Sequence, residues 1–411
     1  MEHFDLIVIG GGISGLSLAY AAVTESADSA QGMSPKRKVV VLEAHQHPGG
    51  AIKSTRLDDN FWMEMGTHTA YNSYGGLLEM MAARDVMGGL LAREKVPWLF
   101  WENGTTQKIT SKLHWLELAR SIPQIFFTSK EGRSVEQYFT QVLGRKNFQE
   151  VLGPMVGAVT SQDASAFPAE MLFKKRPRRK DIQRSFTMTG GLQTITDALS
   201  KTPGVTFVSD CTVGEIRHKQ GVYTVKSSDG RSFQAPALGL ATQPAAGAKL
   251  LDSVFPAAAL PLARMGQTMA ETVGIVVKKT DTNLPPLAGL VGGDKRFYSV
   301  VSRDTVNHPE YRGFAFHFRP TDKTGEDKAK DDYITAVTGV PRAQWLHRET
   351  RSNPLPAPVL GHAGLTKTID LAIANASLLV TGNYFSGLAL EDCVSRSFSE
   401  IARLNSMEKD Q

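Results

Sequence analysis

Two unbroken apolar runs, Leu6–Ile9 and Val39–Leu42, stand near the start of the chain. Each is too short for a helix and lacks the alternation of a half-exposed strand, so each predicts a strand buried on both faces, as in a parallel sheet. Between them the Ala- and Leu-rich stretch Leu16 to Ala22 predicts a helix. The same pattern recurs near the other end, where Leu378 to Thr381 predicts a buried strand and the residues to about Leu404 a helix. Val205–Val208 and Ala237–Leu240 predict further strands. Alternation over Gly221 to Lys226 and Arg231 to Ala235, joined by Asp229-Gly230, predicts a β-hairpin. Helical spacing over 75–92, 113–120 and 134–148 makes the first intervening stretch largely helical, whereas Thr272 to Val277 and Phe314 to Phe318 read as strands of a second sheet.

Composition narrows the class without naming it. The chain has 411 residues, 41% of them hydrophobic and 21% charged, which suits a folded protein of two to three domains. The net charge of +5 is a weak argument for an anionic partner, and nothing points to nucleic acid. Two cysteines, Cys211 and Cys393, exclude a disulfide framework, and no metal site is expected. No apolar run reaches the ~18 residues of a membrane span, and no secretory leader is expected. A cytoplasmic protein is the reading, with peripheral contact at a membrane left open. The polar stretch Ser26 to Lys38 is expected to be an exposed insertion.

Glycine placement carries the chemistry. Gly10, Gly12 and Gly15 form a GxGxxG pattern between the first strand and its helix. Gly10 suits the tight turn, Gly12 lets a diphosphate approach the backbone, and Gly15 allows close helix–strand packing. The helix N-terminus, with Ile13 and Ser14, offers free N–H groups to phosphate. Glu43 ends the second strand, where an acidic side chain accepts a ribose hydroxyl. A dinucleotide site follows.

Beyond Glu43-Ala44 come Gly49-Gly50-Ala51, Glu64-Met-Gly66-Thr67-His68, Thr189-Gly190-Gly191-Leu192, Val213, Ala241-Thr242, and Gly382-Asn383 leading through Gly387 to Leu388-Ala389-Leu390. In this order the segments resemble the flavoprotein superfamily of amine oxidases, phytoene desaturases and protoporphyrinogen oxidases. The resemblance implies FAD as cofactor. It also implies an α/β fold: an FAD-binding Rossmann-like (GR2-type) domain with a discontinuous mixed α+β substrate domain. The cofactor domain is placed at 1–75, 185–250 and 365–411, and the substrate domain at 76–184 and 251–364, with the ligand pocket between them. By resemblance, Val213 contacts adenine through its backbone and Asn383 stands where relatives carry Asp. The N–H groups from Leu388 onward face the flavin pyrimidine. His45 and His47 occupy the region where relatives place an Arg, so a fixed positive side chain for the phosphates is missing from that place.

Three stretches resemble the protoporphyrinogen oxidase branch: Gly153 to Phe167, Pro356 to His362, and Gly382-Asn383 through Gly387 to Asp392-Cys393. The resemblance implies dehydrogenation of a reduced cyclic tetrapyrrole, protoporphyrinogen IX or coproporphyrinogen III, with the flavin reoxidised by O₂ or another acceptor. Two alternatives stay open. One is an amine oxidase, although Leu388 replaces the Tyr of an aromatic cage; the other is an FAD-binding protein without turnover. No catalytic base is assigned. His68 is the titratable candidate beside the cofactor, with a flavin-contact or structural role as its alternative. The basic run Lys174 to Lys180 reads as a solvated loop, with substrate carboxylates or an anionic membrane surface as its functional alternatives. Thr321 to Asp332 reads as an exposed loop. Trp98, Phe100, Trp101 and Trp115 read as core or pocket lining, and His362 as packing or site. Oligomeric state is not fixed by the sequence.

Overall fold

The computed structural model describes residues 2–24, 37–58, 60–294, 296–320 and 326–409. Five strands lie side by side, all parallel, in the order Val205–Val208, Val39–Leu42, Leu6–Ile9, Ala237–Leu240, Leu378–Val380. The unbroken apolar runs are explained by what covers them. Leu6 and Val8 face a core built with the helices Ile13–Thr24 and Leu390–Lys409. Ile7 and Ile9 face the opposite core, closed by a four-stranded sheet that is antiparallel apart from its short Glu2–His3 strand and by the helices Pro244–Leu251, Pro256–Ala263 and His362–Ile373. That sheet contains the expected hairpin, Val222–Ser227 against Ser232–Ala235, with Gly230 at φ +92° in its turn.

A second sheet has seven strands in the order His347–Pro356, Gln267–Lys278, Tyr311–Phe318, Phe297–Ser302, Gly289–Gly292, Trp98–Glu102, Thr105–Lys108. Every neighbouring pair is antiparallel except Gly289–Gly292 with Trp98–Glu102. The last two strands come from the stretch expected to be largely helical. Asn103 and Gly104 both have positive φ and turn them into a hairpin, the residue pair that a two-residue turn favours. Phe100 and Trp101 are buried by this sheet, which makes them core.

Other boundaries moved for local reasons. The helix expected over 75–92 stops at Ala83, and Asp85 enters the left-handed region. Leu90–Ala92 then pairs with Ser185–Met188 as a strand. The helix expected over 134–148 starts on a Ser134–Gln137 capping box and breaks at Gly144. Glu326 to Asp332, expected as loop, opens a helix, Glu326–Thr338, whose Ile334 and Val337 pack on the second sheet; the rest of that expected loop, 321–325, lies outside the described residues, as does most of the Ser26–Lys38 insertion. The C-terminal helix runs on to Lys409.

Candidate active site

The strand Leu6–Ile9 has neighbours reached in opposite directions, Val39–Leu42 on one side and Ala237–Leu240 on the other. The loop leaving its C-terminal end therefore lies at the topological switch point of the sheet, where open α/β folds bind ligands. Gly10 opens that loop at φ +107°, and a Cβ on it would stand 2.6 Å from the Ala241 carbonyl oxygen. Gly15, in the helix, would place a Cβ 1.9 Å from the Gly10 carbonyl oxygen. Conformation and space both demand glycine here. Ile13 and Ser14 begin the helix, both buried, and the Ser14 carbonyl accepts from Ser397 Oγ at 2.8 Å.

Glu43 is buried beside this loop. Its Oε2 accepts from the Gly11 N–H at 2.6 Å and its Oε1 from the His45 N–H at 2.9 Å. A carboxylate oxygen retains a second lone pair after accepting one bond, so Glu43 shapes the loop and still presents acceptor capacity. The Glu43 carbonyl accepts from Cys211 N–H at 2.8 Å, which brings Val213, two residues on, towards the same end of the sheet. Ala44 is exposed, together with His45 and His47. Ala241 follows its strand directly, with its N–H on the Ile9 carbonyl, and Thr242 Oγ1 is buried with no hydrogen-bond partner among the described residues.

The glycine pair sits against the first loop: Gly49 N–H donates to the Gly11 carbonyl at 2.9 Å. Gly12 and Gly49 form a β-bridge, and a Cβ on Gly12 would meet Gly50 Cα at 3.6 Å. Next in line, the Ala51 carbonyl accepts from Thr67 N–H at 3.0 Å and lies against Gly66. Glu64 fastens this row to the middle of the chain. Its carboxylate accepts from Leu192 N–H at 2.8 Å and Ser54 Oγ at 2.6 Å. Burial raises its pKa to about 7 against the pull of these donors and of Arg303.

His68 closes the row. Its Nε2 lies 2.7 Å from His317 Nε2, and His317 Nδ1 lies 2.9 Å from Thr272 Oγ1. Burial holds both imidazoles below the usual histidine range, His68 also through the neighbouring His317 and Arg93, and His317 falls to about 4. The pair is therefore neutral near pH 7 and shares one hydrogen between the two Nε2 atoms. A cavity of about 30 Å³ beside His68 is lined by Glu64, Arg93, Thr187 and Arg303 among others. Those four side chains offer polar partners in an otherwise largely apolar wall, and the volume is enough for an ordered water.

At the C-terminal segment, Gly382 packs on the Tyr384 ring, Asn383 is half-buried, and Leu388 and Ala389 lead into the helix that begins at Leu390. Glu391 accepts from the Gly76 and Leu77 N–H groups at 2.8 and 3.2 Å, the first turn of the helix Gly75–Ala83. Asp392 takes Arg176 at 2.7 Å and Lys174 at 3.3 Å. The basic run is thus not simply a solvated loop: two of its cations are spent holding the C-terminal helix, while Lys175, Arg178 and Lys180 are exposed. His362 is buried with Nε2 on the Tyr384 carbonyl at 2.5 Å, a packing role.

The structure brings the two glycine loops, Glu43, the Gly66–His68 segment and Ala241-Thr242 along one course. Sequence reasoning missed Arg93, Arg303, His317 and Arg351. They come from separate strands and loops, and no short-range pattern marks them. Arg351 is the closest of these to the glycines: its Nη2 donates to the Gly50 carbonyl.

A family described as the NAD(P)-binding Rossmann-like domain matches residues 8–84. Coproporphyrinogen III oxidase of Propionibacterium freudenreichii subsp. freudenreichii is 25% identical over 500 aligned positions, covering 96% of this chain and 89% of the relative. The chain is similar to this porphyrinogen oxidase along nearly its whole length. Protoporphyrinogen oxidase 1, chloroplastic, of Arabidopsis thaliana is 27% identical over 186 residues, 42% of this chain and 33% of the relative. Among solved structures, a protein from Exiguobacterium sp. 255-15 described as a protoporphyrinogen oxidase superposes with a TM-score of 0.77 at 17% identity, over 100% of this chain and 99% of its own. Reduced UDP-galactopyranose mutase superposes at 0.73 and 15% identity, over 98% and 96%. At these identities the structures establish a shared fold.

The residues along this course fit FAD. The first loop admits a diphosphate without a Cβ in the way, and Glu43 presents carboxylate oxygen at the ribose position of such loops. Two buried polar atoms on the course, Thr242 Oγ1 and Arg351 Nη1, lack partners among the described residues. Buried polar atoms are nearly always paired, so their orphaning suits a polar ligand.

Proposed function

We propose that this protein is an FAD-dependent oxidoreductase that dehydrogenates a cyclic tetrapyrrole, a porphyrinogen carrying carboxylate side chains. The observation that carries the reading is the likeness to a coproporphyrinogen III oxidase along 96% of the chain, joined to a continuous course of cofactor-sized turns. Bound FAD supplies the two-electron acceptor, and the porphyrinogen supplies electrons and protons in successive steps. The chain's own residues do the rest. With FAD bound, Gly10 to Gly15 and Gly49-Gly50 would admit its diphosphate, Glu43 would accept from its ribose, and Gly66 to His68 would line the rest of its course. The neutral His68–His317 pair adds no cation there and presents an imidazole whose hydrogen can shift between two nitrogens. Lys175, Arg178 and Lys180 are exposed cations suited to carboxylates.

In this reading the cofactor domain comprises 1–75, 185–250 and 365–411, and the remaining 76–184 and 251–364 cover the substrate. Purified, FAD-loaded protein supplied in air with coproporphyrinogen III, protoporphyrinogen IX or a panel of amines tests the proposal. Porphyrin fluorescence should rise with a porphyrinogen, and hydrogen peroxide should stay at background with the amines. Amine turnover without porphyrin formation would transfer the protein to the amine oxidase reading.

Peripheral membrane contact belongs to the same proposal, but on a different element from the basic run. Between Trp115 and Phe127 six apolar side chains face solvent, Leu116, Phe126 and Phe127 at 78%, 83% and 84% exposure. Arg120, Arg145 and Lys146 stand on or beside this stretch. An apolar face rimmed by cations fits the surface of an anionic bilayer. Among the described residues no helix is long and apolar enough to cross a membrane.

A further inference from the structure

Arg351 sits on the edge strand His347–Pro356 of the second sheet, opposite Thr272. Its guanidinium leaves that sheet and reaches the other one's glycine loops. Nη2 donates to the Gly50 carbonyl, and Nη1 lies 3.6 Å from where a Cβ of Gly66 would stand. Nη1 is buried and has no hydrogen-bond partner among the described residues. A buried, unpaired guanidinium N–H is costly unless something charged or polar completes it. The nearby carboxylate, Glu349, is engaged by Thr55 Oγ1 at 2.5 Å. Burial lowers the Arg351 pKa and Glu349 only partly offsets that, consistent with a cation short of an anion.

The place of this cation matters. Gly50 touches Gly12, the glycine whose missing side chain leaves room for a diphosphate. The segment before Gly49-Gly50 offers only the exposed His45 and His47, and Ala51 follows it. We infer that Arg351 is the fixed cation of the cofactor's diphosphate, delivered through space from the second sheet rather than from the glycine loop's own sequence. This rests on the FAD reading above. Arg351 is then a positioning residue: one nitrogen ties the guanidinium to the Gly50 carbonyl, and the other is free for a phosphate oxygen. Because it spans the two sheets, loading of the cofactor would also fasten the edge strand His347–Pro356 to the loop.

Apoprotein binding of FAD, and of ADP by competition against FAD, tests this in the wild type, R351M and R351K. ADP carries the diphosphate and no isoalloxazine. R351M should weaken both ligands about tenfold or more, R351K should recover part of the loss, and the melting temperature of the R351M apoprotein should stay near wild type. Weaker FAD with unchanged ADP would place Arg351 against the flavin ring and overturn the inference. Unchanged affinity for both, or a loss traced to a collapsed apoprotein that R351K does not repair, would also overturn it. A wild-type apoprotein that binds no FAD would instead sink the cofactor reading itself.

Discussion

Gly12 and Gly15 belong to one motif yet make different demands. A Cβ on Gly12 would meet nothing nearer than Gly50 Cα at 3.6 Å, an ordinary contact, whereas one on Gly15 would collide with the Gly10 carbonyl at 1.9 Å. Gly12→Ala should therefore leave the apoprotein melting temperature within about 2 °C of wild type while lowering FAD affinity about tenfold or more. Gly15→Ala should lower the melting temperature of the apoprotein itself. Calorimetry beside a flavin titration separates the two. The histidine pair makes a second residue-level prediction. Both imidazoles have folded pKa values below the unfolded one, so the pair's contribution is complete above pH 6.5. It is lost as pH falls, because the unfolded chain takes up protons that the buried pair refuses. For His317, shifted to about 4, the loss at pH 5 is roughly 2 kcal/mol. The melting temperature of the wild-type apoprotein should fall between pH 7 and pH 5, and H317Q should flatten that slope; an unchanged slope would show that the pair does not control it.

At the scale of elements, the parallel strands were legible because burial on both faces writes an unbroken apolar run, as Leu6–Ile9 shows. The hairpin Trp98–Lys108 was also written, in Asn103-Gly104, but the helical spacing on either side drew the reading of the whole stretch towards helix. Asp392 shows what sequence could not supply: its partners, Lys174 and Arg176, lie more than 200 positions away in the chain. The same holds for His68 with His317. Motif spacing reports where the backbone must bend, and distant side-chain pairs leave no such mark. The stretch Leu113 to Arg120 was read as a helix with Trp115 as core or pocket lining, yet Trp115 is 60% exposed and the apolar face continues to Phe127. If it docks on lipid, the protein should sediment with vesicles containing phosphatidylglycerol and much less with phosphatidylcholine alone. The double variant F126S/F127S should lose most of that binding without losing soluble turnover. Equal sedimentation of wild type and variant would remove this face from the account.

For the whole molecule, the two sheets meet along the row Gly50–Ala51, Gly66–His68, His317 and Arg351, with the Rossmann-like sheet supplying the loops and the seven-stranded sheet supplying His317 and Arg351. The glycine loops proposed to hold the cofactor were readable because only backbone geometry was needed. The residues that would meet the proposed porphyrinogen were not, since a flat carboxylate-bearing ligand would be recognised by scattered side chains. The whole account turns on electrons passing from a porphyrinogen to the flavin. The direct measurement is anaerobic mixing of the FAD-loaded protein with coproporphyrinogen III while the oxidised flavin absorption is followed. The account predicts bleaching of that band, complete near one-third equivalent of porphyrinogen because six electrons leave the tetrapyrrole in three pairs, with porphyrin absorption rising in step. An oxidised flavin spectrum that stays unchanged, and equally so with protoporphyrinogen IX, would contradict it.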